Sequence, residues 1–225
     1  MLSRLFIQTF MWIALMAALL FVPAGTAAWP EAWIYLGIIG AIGSAAGLWF
    51  ARHDPGLLRE RLASPLQAGQ PAWDKVILLL FFTLYLASFV VMGLDAVRWQ
   101  TTVMPVWVEA SGAACILASY AIIWRVLVEN SFAAPVVRIQ EERGQRIVMT
   151  GPYAIVRHPM YGGATLFLFG TPLLLGSAFG LVFASLLVVL LAIRSILEER
   201  ALADRFPDYA AYREKVRYRF VPHVW

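Results

Sequence analysis

The chain has 225 residues, a net charge of +4 and a mean hydropathy of +0.72. Hydrophobic residues make up 61% and charged residues 14%, against about 25% charged in a typical soluble domain, so too little polar side chain exists to cover a water-soluble globule. The single cysteine, Cys115, excludes an internal disulfide and a cysteine-built zinc site, and it reads as a buried, inert small residue.

A bilayer core of about 30 Å takes about 20 helical residues, and apolar runs of that order recur along the chain. They predict transmembrane helices at 5–22, 32–51, 76–94, 105–128, 159–175 and 178 to about 197. Arg4, an apolar run and Ala24-Gly25-Thr26-Ala27-Ala28 resemble a cleavable leader, but the run exceeds the usual apolar core of about 7–15 residues, so the first helix is expected to be retained. In the second span the Gly43–Gly47 pair has the small-xxx-small spacing that lets helices approach closely. Residues 53–62 read as a turn followed by a short amphipathic helix at the membrane surface. Pro172 predicts a kink in the fifth span, and Gly176-Ser177 joins the fifth and sixth spans so tightly that they must form an antiparallel hairpin.

With six spans, every one of the 18 Lys and Arg residues except Arg98 falls on the side that holds both termini. The positive-inside rule makes that side cytoplasmic, and this one-sided placement explains the basic balance without a nucleic-acid partner. The fold class is therefore an all-α polytopic membrane protein of about six transmembrane helices, with a C-terminal helical hairpin and a pocket on the cytosolic face. Residues 1–128 form an N-terminal four-helix membrane region and residues 129–225 carry the chemistry, the two making one integrated membrane domain.

The densest signal is Thr150-Gly151-Pro152-Tyr153-Ala154-Ile155-Val156-Arg157-His158-Pro159-Met160-Tyr161-Gly162-Gly163. Gly151-Pro152 makes a turn and Pro159 suits the first position of a helix, which places Arg157 and His158 at that helix's positive end. Free amides and a guanidinium there would suit a carboxylate or phosphate. At the far end of the hairpin, Arg194 and Glu198 are spaced to share a helix face and pair, with Glu199 pointing elsewhere. The hairpin brings Arg157-His158 and Glu198-Glu199 to one level, an arrangement of opposite charges suited to a zwitterionic ligand. Residues 206–216 read as an amphipathic helix with Tyr209, Tyr212 and Val216 on one face, either a surface anchor, the favoured reading, or the lid of a cytosolic pocket.

Taken together these residues resemble the isoprenylcysteine carboxyl methyltransferase and phospholipid methyltransferase superfamily, over roughly residues 130–225. The likeness rests on Gly151-Pro152-Tyr153, Arg157-His158-Pro159-Met160-Tyr161-Gly162, Glu198-Glu199-Arg200-Ala201-Leu202, Phe206-Pro207-Asp208-Tyr209 and Tyr212. The ending Arg217-Tyr218-Arg219-Phe220-Val221-Pro222-His223-Val224-Trp225, with Asp54-Pro55-Gly56 and Gly93-Leu94-Asp95-Ala96 upstream, is similar to the bacterial carboxyl-methyltransferase-like branch. Pro207 stands where the family usually has glycine. The resemblance implies an enzyme that moves a methyl group from S-adenosylmethionine, leaving S-adenosylhomocysteine, to an apolar or membrane-associated carboxylate, amine or thiol. Carried over by motif position, Gln140, Arg146, Ile147, Val148, Tyr153, Arg157, His158, Pro159, Tyr161, Glu198 and Glu199 would contact the donor. Arg194, Glu199 and His158 would serve the chemistry, with no metal. The implied partners are the lipid bilayer and a lipophilic or small-molecule acceptor, and the implied location is an inner membrane if the source is bacterial. An NADPH-dependent sterol-type reductase and a non-enzymatic scaffold or transporter are the alternatives.

Overall fold

The computed structural model describes residues 1–67, 69–138, 140 and 143–225. Long helices dominate because long apolar runs in lipid must satisfy their backbone groups internally. In chain order they are α1 (Leu2–Ala24), α2 (Pro30–His53), α3 (Pro55–Arg61), α4 (Ala72–Gly93, continued by a π-helical turn Leu94–Trp99), α5 (Val106–Glu129), α6 (Pro159–Leu174), α7 (Ala178–Arg205) and α8 (Tyr209–Lys215). A 3-10 turn, Gly151–Ala154, precedes α6. The described residues contain no strand. The short surface helix expected at 53–62 is α3, and the Asp54 carboxylate caps it by accepting the Leu57 amide at 2.9 Å.

Among the described residues, five helices are long and apolar enough to cross a membrane: α1, α2, α4 with its π turn, α5 and α7. The remaining expected span, α6, has 16 residues, about 24 Å of rise, and is short for a crossing on length alone. Its flanks nevertheless join two buried polar clusters that mark opposite ends of the bundle. At one end Arg194 pairs with Asp74 at 2.8 Å, and at the other Ser177 Oγ donates to Asp95 at 2.6 Å. Asp74 and Asp95 stand at the two ends of α4, separated by roughly 30 Å of helix. Because His158 lies at the first end and Ser177 at the second, the α6 segment bridges both.

The outward face is apolar, with Phe10, Leu79 and Val22 more than two-thirds exposed, as lipid contact requires. The core is built around Met16, Leu20, Tyr35, Phe89, Ile116 and Leu175. Close helix approach depends on only one glycine of the expected pair, Gly47, together with glycines elsewhere. A Cβ on Gly112 of α5 would lie 2.3 Å from the Leu174 amide nitrogen, and one on Gly170 of α6 would lie 2.8 Å from the Gly112 oxygen. In α2 it is Gly40 and Gly47 that receive Ile13 and Leu5 of α1, while Gly43 faces open space. The Gly43–Gly47 reading is thus corrected to Gly40 and Gly47, two turns apart on one face. Cys115 is half-buried rather than buried, its Cβ against Gly170.

Candidate functional site

A cavity of about 190 Å³ opens beside the first turn of α6 and the last turns of α7, roofed by α8 and the loop before the 3-10 turn. The hairpin turn sets this meeting. Gly176 adopts φ +73°, and Ser177 caps α7 by accepting the Gly180 amide at 3.0 Å. The start of α6 is set by Gly151, whose φ of +58° and close approach to the Glu129 carboxylate suit glycine alone. Pro159 then occupies the first helical position.

Of the residues expected to meet a ligand, Arg146, Ile147, Val148, Tyr153, Arg157, His158, Tyr161, Arg194 and Glu198 line the cavity. Gln140, Pro159 and Glu199 do not. Gln140 is buried and braces the loop, donating from Nε2 to the Phe132 carbonyl at 2.8 Å and accepting from Arg143 at 2.5 Å. Pro159 faces the opposite side of α6.

The neighbouring carboxylates have separate surroundings, because one residue along a helix is a rotation of about 100°. Glu199 is 3% exposed and accepts from Arg157 Nε at 2.7 Å, from His158 at 3.2 Å and from Arg219 at 3.2 Å. Glu198 keeps 26% of its side chain exposed, borders the cavity and accepts from the Tyr161 hydroxyl at 2.7 Å.

Arg194 does not pair directly with Glu198 as its spacing suggests. Its Nε donates to Asp74, a fully buried carboxylate, and its Nη2 donates to the Pro135 carbonyl at 2.9 Å. Its Nη1 donates to the Tyr161 hydroxyl at 2.9 Å, so that hydroxyl relays between Arg194 and Glu198. Asp74 completes its shell with the Gln70 side chain at 2.7 Å and the Val137 amide at 3.0 Å. The loop entering the cavity is therefore fastened to the start of α4.

The positive end of α6 is met by the protein's own groups. The amides of Arg157 and His158 donate to the carbonyls of Tyr218 and Arg219 at 2.9 and 2.8 Å. The Arg157 Nη1 donates to the carbonyls of Val216 and Arg217, each at 2.7 Å. Residues 216–225 thus form a strap across this helix start. Gly162 allows it, since a Cβ there would lie 2.7 Å from the Phe220 carbonyl oxygen. The His158 ring stacks on Tyr161 with centroids 5.4 Å apart, and Phe220 packs edge-on to Tyr161 at 5.5 Å. The free anion site expected at Arg157 is filled by Glu199 and the strap.

Helix α8 is a lid rather than the favoured surface anchor. Tyr209, Tyr212 and Val216 are buried against Ile147, Leu202 and Phe206, and both tyrosines border the cavity. Pro207 is accommodated in the turn that starts α8, where the Tyr209 amide donates to the Phe206 carbonyl at 3.0 Å. Tyr153 is held at both ends, its hydroxyl accepting from Asn130 at 2.8 Å and its carbonyl accepting from the Tyr212 hydroxyl at 2.8 Å. Burial pushes the Tyr153 phenol up to about 12 and raises those of Tyr209 and Tyr212 as well. The cavity's phenols are therefore hydrogen-bond donors at neutral pH. Sequence reasoning missed Asp74 and Arg219. The signal for Asp74 was a lone carboxylate opening an apolar span, whose partner lies 120 residues away.

Residues 107–208 match the phospholipid methyltransferase family. None of the curated proteins compared with the chain gives a match.

Proposed function

We propose, from the match of residues 107–208 to the phospholipid methyltransferase family, that the chain is an integral membrane methyltransferase that takes its methyl group from S-adenosylmethionine. The cavity bordered by Glu198 is the observation that carries this reading, because its wall suits each part of that donor. Glu198 is partly exposed and has one hydrogen bond from Tyr161, which leaves acceptor capacity for an ammonium or ribose hydroxyls. Arg146 is exposed at the cavity edge and has no hydrogen-bond or ion-pair partner among the described residues, so it is better placed for a carboxylate than Arg157. Ile147, Val148 and the rings of Tyr209 and Tyr212 offer flat, largely apolar surface for a base.

When bound, S-adenosylmethionine supplies a methyl group on a sulfonium, open to in-line displacement. The protein's share of the barrier is positioning, which can contribute up to about 7–11 kcal/mol when reacting atoms are held in line. Arg194, Tyr161 and Glu198 form a rigid relay anchored on Asp74, and so fix the wall against which the acceptor must sit. Where the acceptor must lose a proton, His158 is the base. Its Nε2 lies 3.2 Å from Glu199 and its Nδ1 3.9 Å from Glu198, so the ring stands between the two carboxylates at the cavity wall. Glu199, outside the cavity wall, acts as a positioning residue for Arg157, His158 and Arg219. The basic side of the membrane, with the cavity and both termini, is cytoplasmic on the positive-inside rule. Residues 129–225 supply most of the donor pocket, and residues 1–128 contribute Asp74 and Arg61 to its foundations.

The acceptor class is an apolar or membrane-associated carboxylate, amine or thiol. The test is a transfer screen with purified protein, labelled S-adenosylmethionine, membrane lipid extract, prenylcysteine analogues and small thiols. Label entering at least one acceptor, and lost in Glu198→Gln, is expected. Folded protein that binds NADPH and transfers no label to any acceptor would overturn the proposal.

A further inference from the structure

A second concavity, of about 680 Å³, lies on the other side of α6. Its wall includes Ala121 and Arg125 of α5, Gly163 and Leu166 of α6, and Val221 and Pro222 of the strap. The two spaces share no lining residue among those described. His158, Met160 and Tyr161 face the donor cavity, whereas Pro159, Gly162 and Gly163 face the groove. The first turn of α6 stands between them, so the groove is a separate space from the donor cavity. From Pro159 to Leu166 the groove follows about 10 Å of helix, the depth of a headgroup boundary and the upper part of an acyl chain in a core of about 30 Å.

Among the described residues, Arg125 is the one charged side chain in this wall. It is exposed and makes no hydrogen bond or ion pair among the described residues. The nearest carboxylate on its own helix, Glu129, is turned to the Thr150 hydroxyl and the Gly151 backbone. A lone cation at the rim of an apolar groove fits a phosphodiester with a hydrocarbon tail. Among the described residues the wall offers no carboxylate for an ammonium, so a headgroup of net negative charge is favoured over a zwitterion.

We propose that this groove binds one anionic phospholipid, its phosphate at Arg125 and its chain along Ala121 and Leu166, and that the bound lipid secures the strap through Val221 and Pro222. The strap holds Arg157, His158 and Glu199 in place, so lipid occupancy is linked to the order of the donor site. A ligand that binds the docked strap better than the undocked one stabilises docking by mass action.

The test compares backbone hydrogen exchange of residues 216–225 in phosphatidylcholine nanodiscs with and without phosphatidylglycerol. Phosphatidylglycerol is expected to slow strap exchange about fivefold, the factor one interfacial arginine contributes. The slowing is expected to vanish in Arg125→Ala and in Ala121→Trp, which fills the groove from an exposed position. Equal exchange in the two lipid mixtures, or an undiminished lipid effect in both variants, would overturn it. No methyl donor is present in this measurement, so its outcome is separable from that of the transfer screen.

Discussion

Replacing each of the adjacent glutamates by glutamine is expected to produce opposite phenotypes. Glu199→Gln leaves Arg157 and Arg219 facing a neutral amide at a site 3% exposed. Removing one partner of a buried charge cluster costs about 3–5 kcal/mol, so a clear fall in unfolding temperature is expected. Glu198→Gln keeps an oxygen for the Tyr161 hydroxyl at a partly exposed position, and its effect on stability should stay within about 1 kcal/mol. It removes a charged acceptor from the proposed donor pocket, worth about 1.5–3 kcal/mol, or roughly a ten- to hundredfold loss of affinity. Unfolding followed by tryptophan fluorescence in detergent measures the first effect, and calorimetric titration with S-adenosylhomocysteine the second. A stable Glu199→Gln together with a Glu198→Gln that binds normally would refute the division of labour.

Asp74→Asn should cost about 3–5 kcal/mol by stranding Arg194, whereas Asp74→Leu with Arg194→Met should recover much of the stability and none of the transfer; thermal unfolding alongside the transfer assay separates the two. Gly112→Val should prevent α5 from meeting α6, since even a Cβ there lies 2.3 Å from the Leu174 nitrogen, while Gly43→Ala, which faces open space, should leave the elution profile in size-exclusion chromatography unchanged. Because burial raises the phenols of Tyr153, Tyr209 and Tyr212, they stay protonated above the usual value of about 10. Donor affinity should therefore follow the same pH profile from about pH 8 to pH 10 in Tyr153→Phe as in the unaltered protein, and an inflection in that window abolished by Tyr153→Phe would contradict the assignment of these groups as buried donors.

The membrane class, the helix hairpin and the gathering of charge at its open end were legible because apolar length, a two-residue connection and residue spacing are local properties. The partners of the charges were not. Arg194 has a carboxylate four residues away and uses one 120 residues away, because Tyr161 fills the space between Arg194 and Glu198. The basic start of α6 was visible, but its occupation by Tyr218, Arg219 and Glu199 depends on the path of the C-terminal strap, which no periodicity encodes. Likewise α8 displays one apolar face in sequence, and only the loop carrying Ile147 shows that the face meets protein rather than lipid. The glycine contacts followed the same pattern: small residues announced close packing in α2, while tertiary placement chose Gly40 and Gly47.

Light-induced crosslinking of labelled S-adenosylmethionine to purified protein, followed by peptide mapping, tests most directly whether the space between the start of α6 and the end of α7 holds the methyl donor. Label on peptides spanning 145–161 and 194–212, displaced by excess S-adenosylhomocysteine, is the expected result. Displaceable label confined to peptides remote from both regions, such as 30–53 or 106–125, would contradict it.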